Sequence, residues 1–439
     1  MGTEISLSLG GLDIDWSKNT RGNDHGMLFQ EKDRLPLRSE QIDYDYFQES
    51  GEDPTDMEMA FVRKLEDVVP RLELLGFTLD QARAAYDDWA EAWRVEQESI
   101  LFGGEDRLQT PLNFDEYCAF VNRQPVAELD DTFISLADRT DEDRTIEGRF
   151  AEDEALIARI PREIHGSNTA YSERSFFGSA VITLNPYLTL RVLAENPINR
   201  ETDVVWQYGP LVVGGYAAVG EFAPCARRTE TFLIVTEGSS DAHILSHALA
   251  LLRPGILDFF RFIDVSERHP FAGTGNLVKF AEGLAKIDVH NQILFVFDND
   301  AEGVDAFQKV GALTLPANMR AMLLPDLDAF RQFPARGPEG EHLADINGRA
   351  AAIECYLDHR LRDYPPPRVI WTNHKKEADT YQGALEHKES YMRAFMDLRA
   401  HSLGGYATDK IAQVLDALIA ECVAIAQDDV ARRFDLASD

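Results

Sequence analysis

Residues 232–241, FLIVTEGSSD, and residues 293–303, ILFVFDNDAEG, decide how this chain is read. Each opens on a short apolar run, the pattern of a strand buried on both faces. Each turns acidic where such a strand would end, at Glu237 and Asp241 in the first and at Asp298, Asp300 and Glu302 in the second. In an open parallel sheet the carboxyl ends of the strands converge on one crevice, where ligands bind. Residues two apart in an extended chain point the same way, so Asp298 and Asp300 can share a target. Glu237 joins them if the two strands pair. Carboxylates that close repel one another unless a cation neutralises them. Oxygen donors at that charge density suit Mg2+ or Mn2+. For either motif alone the plainer reading is an acidic helix cap facing solvent. The two together, about two strand–helix units apart, favour a metal site.

Around these motifs, residues 230–326 alternate buried-strand runs (232–236, 259–265, 293–297 and 320–324) with amphipathic stretches (241–252, 275–286 and 303–310). Repetition at roughly 30 residues per unit argues for a parallel sheet flanked by helices, a Rossmann-like α/β domain over 227–330. Upstream, 1–226 reads as a mixed α+β domain. Ile5, Leu7 and Leu9 alternate with polar residues, as do Leu12, Ile14 and Trp16, around Gly10-Gly11. That pattern predicts a hairpin pairing Leu9 with Leu12, Leu7 with Ile14 and Ile5 with Trp16, all on one buried face. Met57, Phe61, Leu65, Val68 and Leu72 have helical spacing, which Pro70 should kink or split. Thr78 and Gln81 form a capping box ahead of Ala82, Tyr86, Trp89 and Trp93, whose aromatics read as core. Downstream, 331–439 reads as a helical extension that completes the site. In it, 331–341 is a Pro/Gly loop, a helix lies around 349–357, and two more helices lie near 378–398 and 405–427 after Pro365-Pro366-Pro367.

Composition limits the function. The 439 residues carry 43 Lys and Arg against 76 Asp and Glu, a net charge of −33. Such a field repels nucleic acid at long range, so a polyanionic substrate would have to be gripped locally. An apolar content of 44% excludes a chain too polar to fold. No run reaches the ~18 apolar residues of a membrane helix. The first twenty residues lack the basic and apolar regions of a signal peptide. We therefore expect a cytoplasmic protein without a membrane partner. The four cysteines form no C-x-x-C pair, which argues against zinc ribbons and disulfide frameworks. Arg360, Arg362, Arg368, Lys375 and Lys376 lie with Tyr364 and Trp371, a mixture suited to nucleic-acid backbone contacts and stacking. A solvated connector explains that stretch equally well. Ser266-Glu267-Arg268-His269 could also reach the crevice.

EGSSD followed by FDNDAEG resembles a TOPRIM domain, the module shared by topoisomerases, bacterial primases, recombination mediators and OLD-type nucleases. The opening MG-x-x-ISL hairpin and DIDW-x-KN are similar to the amino-terminal region of HEPN/Toprim-associated proteins. The resemblance implies divalent-metal phosphodiester chemistry on nucleic acid, DNA ahead of RNA. Glu237 would be acid/base or ligand, and Asp298 and Asp300 ligands. Topoisomerases need a tyrosine on a separate gate domain, and primases and recombination mediators carry zinc-binding cysteines; neither feature is present. OLD-type nucleases add further carboxylates and a lysine to build a site for two ions. Here Asp241, Glu302 and Glu354 are the candidate further ligands, with Asp305 a weaker one. Lys388 is the candidate catalytic lysine, ahead of Lys376. OLD-type relatives are linked to defence against phage and often carry an ATPase. This chain has no G-x-x-x-x-G-K-[ST] loop, and Gly273-Thr274-Gly275 is too short to replace one, so ATP control would need a separate subunit. Self-association stays open. One alternative is a non-catalytic or partner-activated regulatory subunit that binds metal and a protein or nucleic acid. Another is a metal-independent ribonuclease using Arg159 and His165.

Overall fold

In a computed structural model the chain divides into two compact units, Met1–Ala226 and Arg227–Asp439. The structure describes residues 3–39, 42–100, 109–135, 144–162, 170–263, 273–287, 289–338, 340–360, 364–375 and 380–437. Of the expected site residues, Arg362 and Lys376 lie outside them, as do His165 and Ser266–His269. Among the described residues no helix is long and apolar enough to cross a membrane.

The first unit is built on a five-stranded antiparallel sheet. Its strands are β1 (Glu4–Leu9), β2 (Leu12–Lys18), β3 (Arg34–Pro36), β4 (Met59–Lys64) and β5 (Asp203–Gln207), ordered β2-β1-β5-β4-β3. Gly10 and Gly11 both have positive φ, +55° and +86°, as a two-residue hairpin turn requires. Leu9 faces Leu12 as expected, but a bulge at Ile14 then shifts the register, so Leu7 faces Asp15 and Ser6 faces Trp16. One extra residue sends every later side chain to the other face. Trp16, expected inside, is therefore 65% exposed. The helix expected from Met57 begins only at Leu65, because Met59–Lys64 is β4. Leu65–Leu74 keeps Pro70 inside it. The Thr78 hydroxyl accepts from Gln81 N at 3.3 Å, just ahead of the helix Leu79–Ile100. Tyr86 and Trp93 are buried there as core.

The second unit holds a four-stranded parallel sheet of β6 (Phe232–Thr236), β7 (Phe260–Phe262), β8 (Gln292–Phe297) and β10 (Met319–Leu323). Between β8 and β10 lies the two-residue β9 (Asn299–Asp300). The order is β10-β8-β6-β7, every neighbouring pair parallel. From β6 the chain moves to one side to make β7, then crosses back to place β8 on the other. The point of reversal lies between β6 and β8, where open α/β sheets bind ligands. Ile293, Phe295 and Phe297 share one core with Leu277 and Ala281 of the helix Thr274–Ala285 and Ala306 and Val310 of the helix Ala301–Gly311. Leu294 and Val296 point the opposite way by alternation. The helix Ser239–Leu252 packs on β6, and Asp409–Ala437 packs on β8 and β10.

Residues 331–385 depart from the helical extension that the sequence suggested. They form a second sheet, β12-β11-β14-β15, from β11 (Phe333–Gly337), β12 (Gly340–Ala344), β14 (Val369–Lys375) and β15 (Thr380–Leu385). The expected Pro/Gly loop is the β11–β12 hairpin. The expected helix at 349–357 is β13 (Ala350–Ala351), paired antiparallel with β9, followed by a single 3-10 turn at Ile353–Tyr356. Alanine favours helix here, but strand pairing overrides so weak a preference. Among the described residues of the expected helix 378–398, only Lys388–Met396 is helical, whereas the long last helix forms as Asp409–Ala437.

Candidate functional site

Glu237 follows the last residue of β6 and Asp298 the last residue of β8. Because the two strands are neighbours, Glu237 reaches across, and its Oε1 accepts from Asp298 N at 3.1 Å. Asp300 caps the helix Ala301–Gly311, its Oδ1 accepting from Glu302 N and Gly303 N, each at 2.8 Å. Asp241 stands in the first turn of Ser239–Leu252 and accepts from Gly238 N at 2.9 Å and from the Ser240 hydroxyl at 3.1 Å. Part of the plainer reading therefore holds, since two of the acids do cap helices. Capping does not account for Glu237, which reaches across to the Asp298 backbone, or for Asp298, whose carboxylate turns to a different segment.

The 331–439 segment supplies the rest. Asp298 Oδ1 accepts from Ile353 N at 2.9 Å. Glu354, next in the chain, is only 4% exposed. Lys388 Nζ stands 3.7 Å from Glu354 Oε1. Lys375 Nζ stands 3.3 Å from Glu302 Oε1. Two groups result, Glu237–Asp298–Asp300 and Asp241–Glu354–Lys388, and Asp298 feels the charges of both.

Electrostatics follow from this crowding. Burial, then the Asp300 charge, pushes the Glu237 carboxyl up to about 8, against the Asp298 N–H that favours its ionised form. Burial and Glu354 push Asp241 up to about 6, with Lys388 pulling the other way. Asp298 is raised well above the carboxylate range by burial and by Asp241, Glu237, Asp300 and Glu354. Asp300 is raised by burial, while its three hydrogen bonds oppose the rise. Each of Glu237, Asp241, Asp298 and Asp300 is half-buried, so part of it still meets solvent.

Among the described residues, no group of three or more His, Cys, Asp or Glu side chains stands ready-made around one ion position. Several oxygens are turned to protein donors instead, Asp300 to Glu302, Gly303 and Gln382, and Asp298 to Ile353. The donor set nevertheless fits a hard divalent cation in kind: all oxygen, mutually repelling, with Lys388 the nearest countercharge to its Asp241–Glu354 half. Closure around an ion requires some of the carboxylates to rotate.

The described members of the basic stretch are engaged rather than free. Arg360 bonds Asp358 at 2.6 Å, Arg368 bonds Glu386 at 2.5 Å and Glu341 at 2.8 Å, and Lys375 holds Glu302. Arg349 lies over Trp371, 4.7 Å from the ring centroid. Asp305 pairs with Lys309 at 2.5 Å on the solvent face of its helix. Arg159 bonds the Thr110 carbonyl at 2.9 Å and Glu116 at 3.5 Å. Two contributors escaped the sequence: the Ile353 N–H and Gln382, whose Nε2 donates to Asp300 Oδ2 at 2.5 Å. Both sit in segments whose pairing partners are distant in the chain, and neither belongs to a local pattern.

The protein family described as HEPN/Toprim N-terminal domain 1 matches residues 1–230. No curated protein and no solved structure matches the chain. The family match therefore covers the first unit, and the carboxylate site lies beyond it.

Proposed function

The chain belongs to the HEPN/Toprim N-terminal domain 1 family, and from that premise we propose that residues 227–439 are a TOPRIM-type, divalent-metal-dependent nuclease. The observation that carries this reading is geometric: Glu237 and Asp298, at the ends of adjacent parallel strands, meet where the strand order reverses, with Asp300, Asp241 and Glu354 around them. That is the place where an open α/β sheet binds its ligand.

In this reading Glu237, Asp298 and Asp300 hold one Mg2+ or Mn2+. Asp241 and Glu354 hold a second, and Glu302 stands at the rim. Bound there, such ions would lower the pKa of water and stabilise charge on the attacking and leaving oxygens. The chain's own groups do the positioning. Gly303 lets the helix start close against the Asp298 carbonyl. Ile353 N–H and Gln382 hold the two aspartates. Lys388 brings the ammonium that would stabilise charge on a phosphoryl oxygen. DNA is our preferred substrate over RNA. The cytoplasm, bacterial defence against phage, and control by a separate ATPase or other defence subunit or by self-association belong to the same proposal. They rest on the resemblance alone.

One observation favours a second reading, a regulatory subunit activated by a partner. In a chain of net charge −33, Arg360, Arg368 and Lys375 are each committed to a carboxylate. The test is to incubate the protein and Asp298→Ala with supercoiled plasmid, linear duplex, single-stranded DNA and RNA, each in Mg2+, Mn2+ or EDTA. We expect cutting that needs metal and is lost in the variant. Cutting that survives both EDTA and Asp298→Ala would overturn the site. No cutting of any substrate would move the assignment to the regulatory reading.

A further inference from the structure

Asp300 has a direction of coordination set by its neighbours. Its Oδ1 already accepts from two N–H groups, those of Glu302 and Gly303, each at 2.8 Å. A carboxylate oxygen offers about two lone pairs, so Oδ1 is full. Oδ2 accepts one hydrogen bond, from Gln382 Nε2 at 2.5 Å, which leaves a single lone pair to point at a cation. The other end of the same amide, Oε1, accepts from Glu302 N at 3.2 Å. Gln382 thus spans the Asp300 carboxylate and the first turn of the helix that Asp300 caps.

The surrounding strands are built to aim this side chain. A bulge in β14 lets Trp371 face Gly383 and Asn373 face Gln382, leaving Thr372 as the extra residue. Bulges of this kind re-aim side chains beside functional sites. The Thr372 hydroxyl donates to the Gln382 carbonyl at 3.1 Å and holds the backbone there. Gly383 lets β15 press against β13, since a Cβ on it would meet Ala350 Cβ at 2.9 Å. Gly383 N donates to Arg349 O at 3.2 Å, and Ala350 pairs directly with Asp300. Gln382 is therefore registered to Asp300 through both backbone and side chain. An amide also suits the task. It donates without bringing a positive charge that would compete with a cation, as a lysine in its place would.

We propose that Gln382 is a positioning residue of the metal centre, fixing the rotamer of Asp300 so that one lone pair of Oδ2 is presented to the ion. The proposal rests on the reading of Asp300 as a ligand. Partners that orient metal-binding carboxylates typically change affinity by about 10–100-fold when removed. The experiment is calorimetric titration of the full-length protein with Mn2+, comparing the parent with Gln382→Met, Gln382→Asn and Tyr381→Phe. Gln382→Met keeps the bulk and removes the donor; Gln382→Asn keeps the amide but shortens its reach. Tyr381→Phe alters the adjacent residue alone. We expect an affinity loss of about 10–100-fold in the two Gln382 variants and none in Tyr381→Phe. The unfolding midpoint in EDTA should stay at the parent's value, which a merely structural role would not allow. Parent-like Mn2+ affinity in either folded Gln382 variant overturns the proposal and leaves the metal centre standing. Failure of the parent itself to bind Mn2+ overturns both.

Discussion

A methyl group on Gly303 would meet the Asp298 carbonyl oxygen at 2.0 Å and Glu237 Oε1 at 3.0 Å. The first of these contacts is with backbone, so a side-chain rotation cannot relieve it. Gly303→Ala must push the start of the helix Ala301–Gly311 away from the end of β8, and with it the N–H groups that hold Asp300. Overpacking of this kind costs about 1–3 kcal/mol. We expect a lower thermal midpoint together with weaker Mn2+ binding, measured by thermal unfolding with and without the ion. An unchanged midpoint would show that the helix start has slack that the packing denies. At this scale the sequence was legible where chemistry is local. Glu237 and Asp298 each follow a strand directly and Asp300 stands two residues beyond Asp298, so motif and place coincide. Gln382 carries no motif, and its partner is 82 positions away. Glu354 and Lys388 sit between these extremes, visible as residue types but placed only by the second sheet.

Elements show the same division. The described strands and helices of 230–326 were legible because each is a periodic run bounded by turn residues. The strands β11 to β15 were not. The β11 strand contains Pro334, every residue of β12 but its last is exposed, and β13 has two residues. Their stability comes from partners elsewhere, as β-preference largely does. Asp358 ties this region to the residues just before the last helix. The Asp358 carboxylate accepts from Ala407 N at 2.9 Å and from Arg360 Nε at 2.9 Å, and Asp358 N bonds the Tyr406 hydroxyl at 2.9 Å. Burial pushes the Asp358 carboxyl up, but the bonds from Arg360 and Ala407 outweigh it and hold the group down at about 2. A carboxyl depressed below its unfolded value of about 3.9 adds stability that is present above that value. The contribution disappears as pH falls through about 2. Asp358→Asn should therefore be less stable than the parent at pH 7, and the gap should close between about pH 4 and about pH 2. Urea unfolding of both proteins across that range checks the sign; a gap that stays constant would show that the charge of Asp358 does not hold this junction.

For the whole molecule, charge is the property that sets how a nucleic acid could be approached. The net of −33 is spread over a chain in which the described members of the one basic stretch already serve carboxylates. Proteins that grip duplex DNA through six to ten phosphates lose affinity steeply with salt, by about 0.9 in log K per contact and decade of salt. The proposed site, Lys388 with any cations it binds, would neutralise only a few phosphates. The slope should then be no steeper than about −3. Repulsion from the rest of the surface acts over about 30 Å at 0.01 M salt and about 8 Å at 0.15 M. Added salt should therefore first speed association, by shortening that reach, before it weakens the contacts themselves. The measurement is association rate and affinity for a catalytically silent Asp298→Ala chain on duplex and single-stranded DNA, from low to physiological salt. A rate that rises and then falls fits an acidic body with a small cationic centre. A steep, monotonic loss would require a broad basic surface, which the paired state of Arg360, Arg368 and Lys375 does not provide.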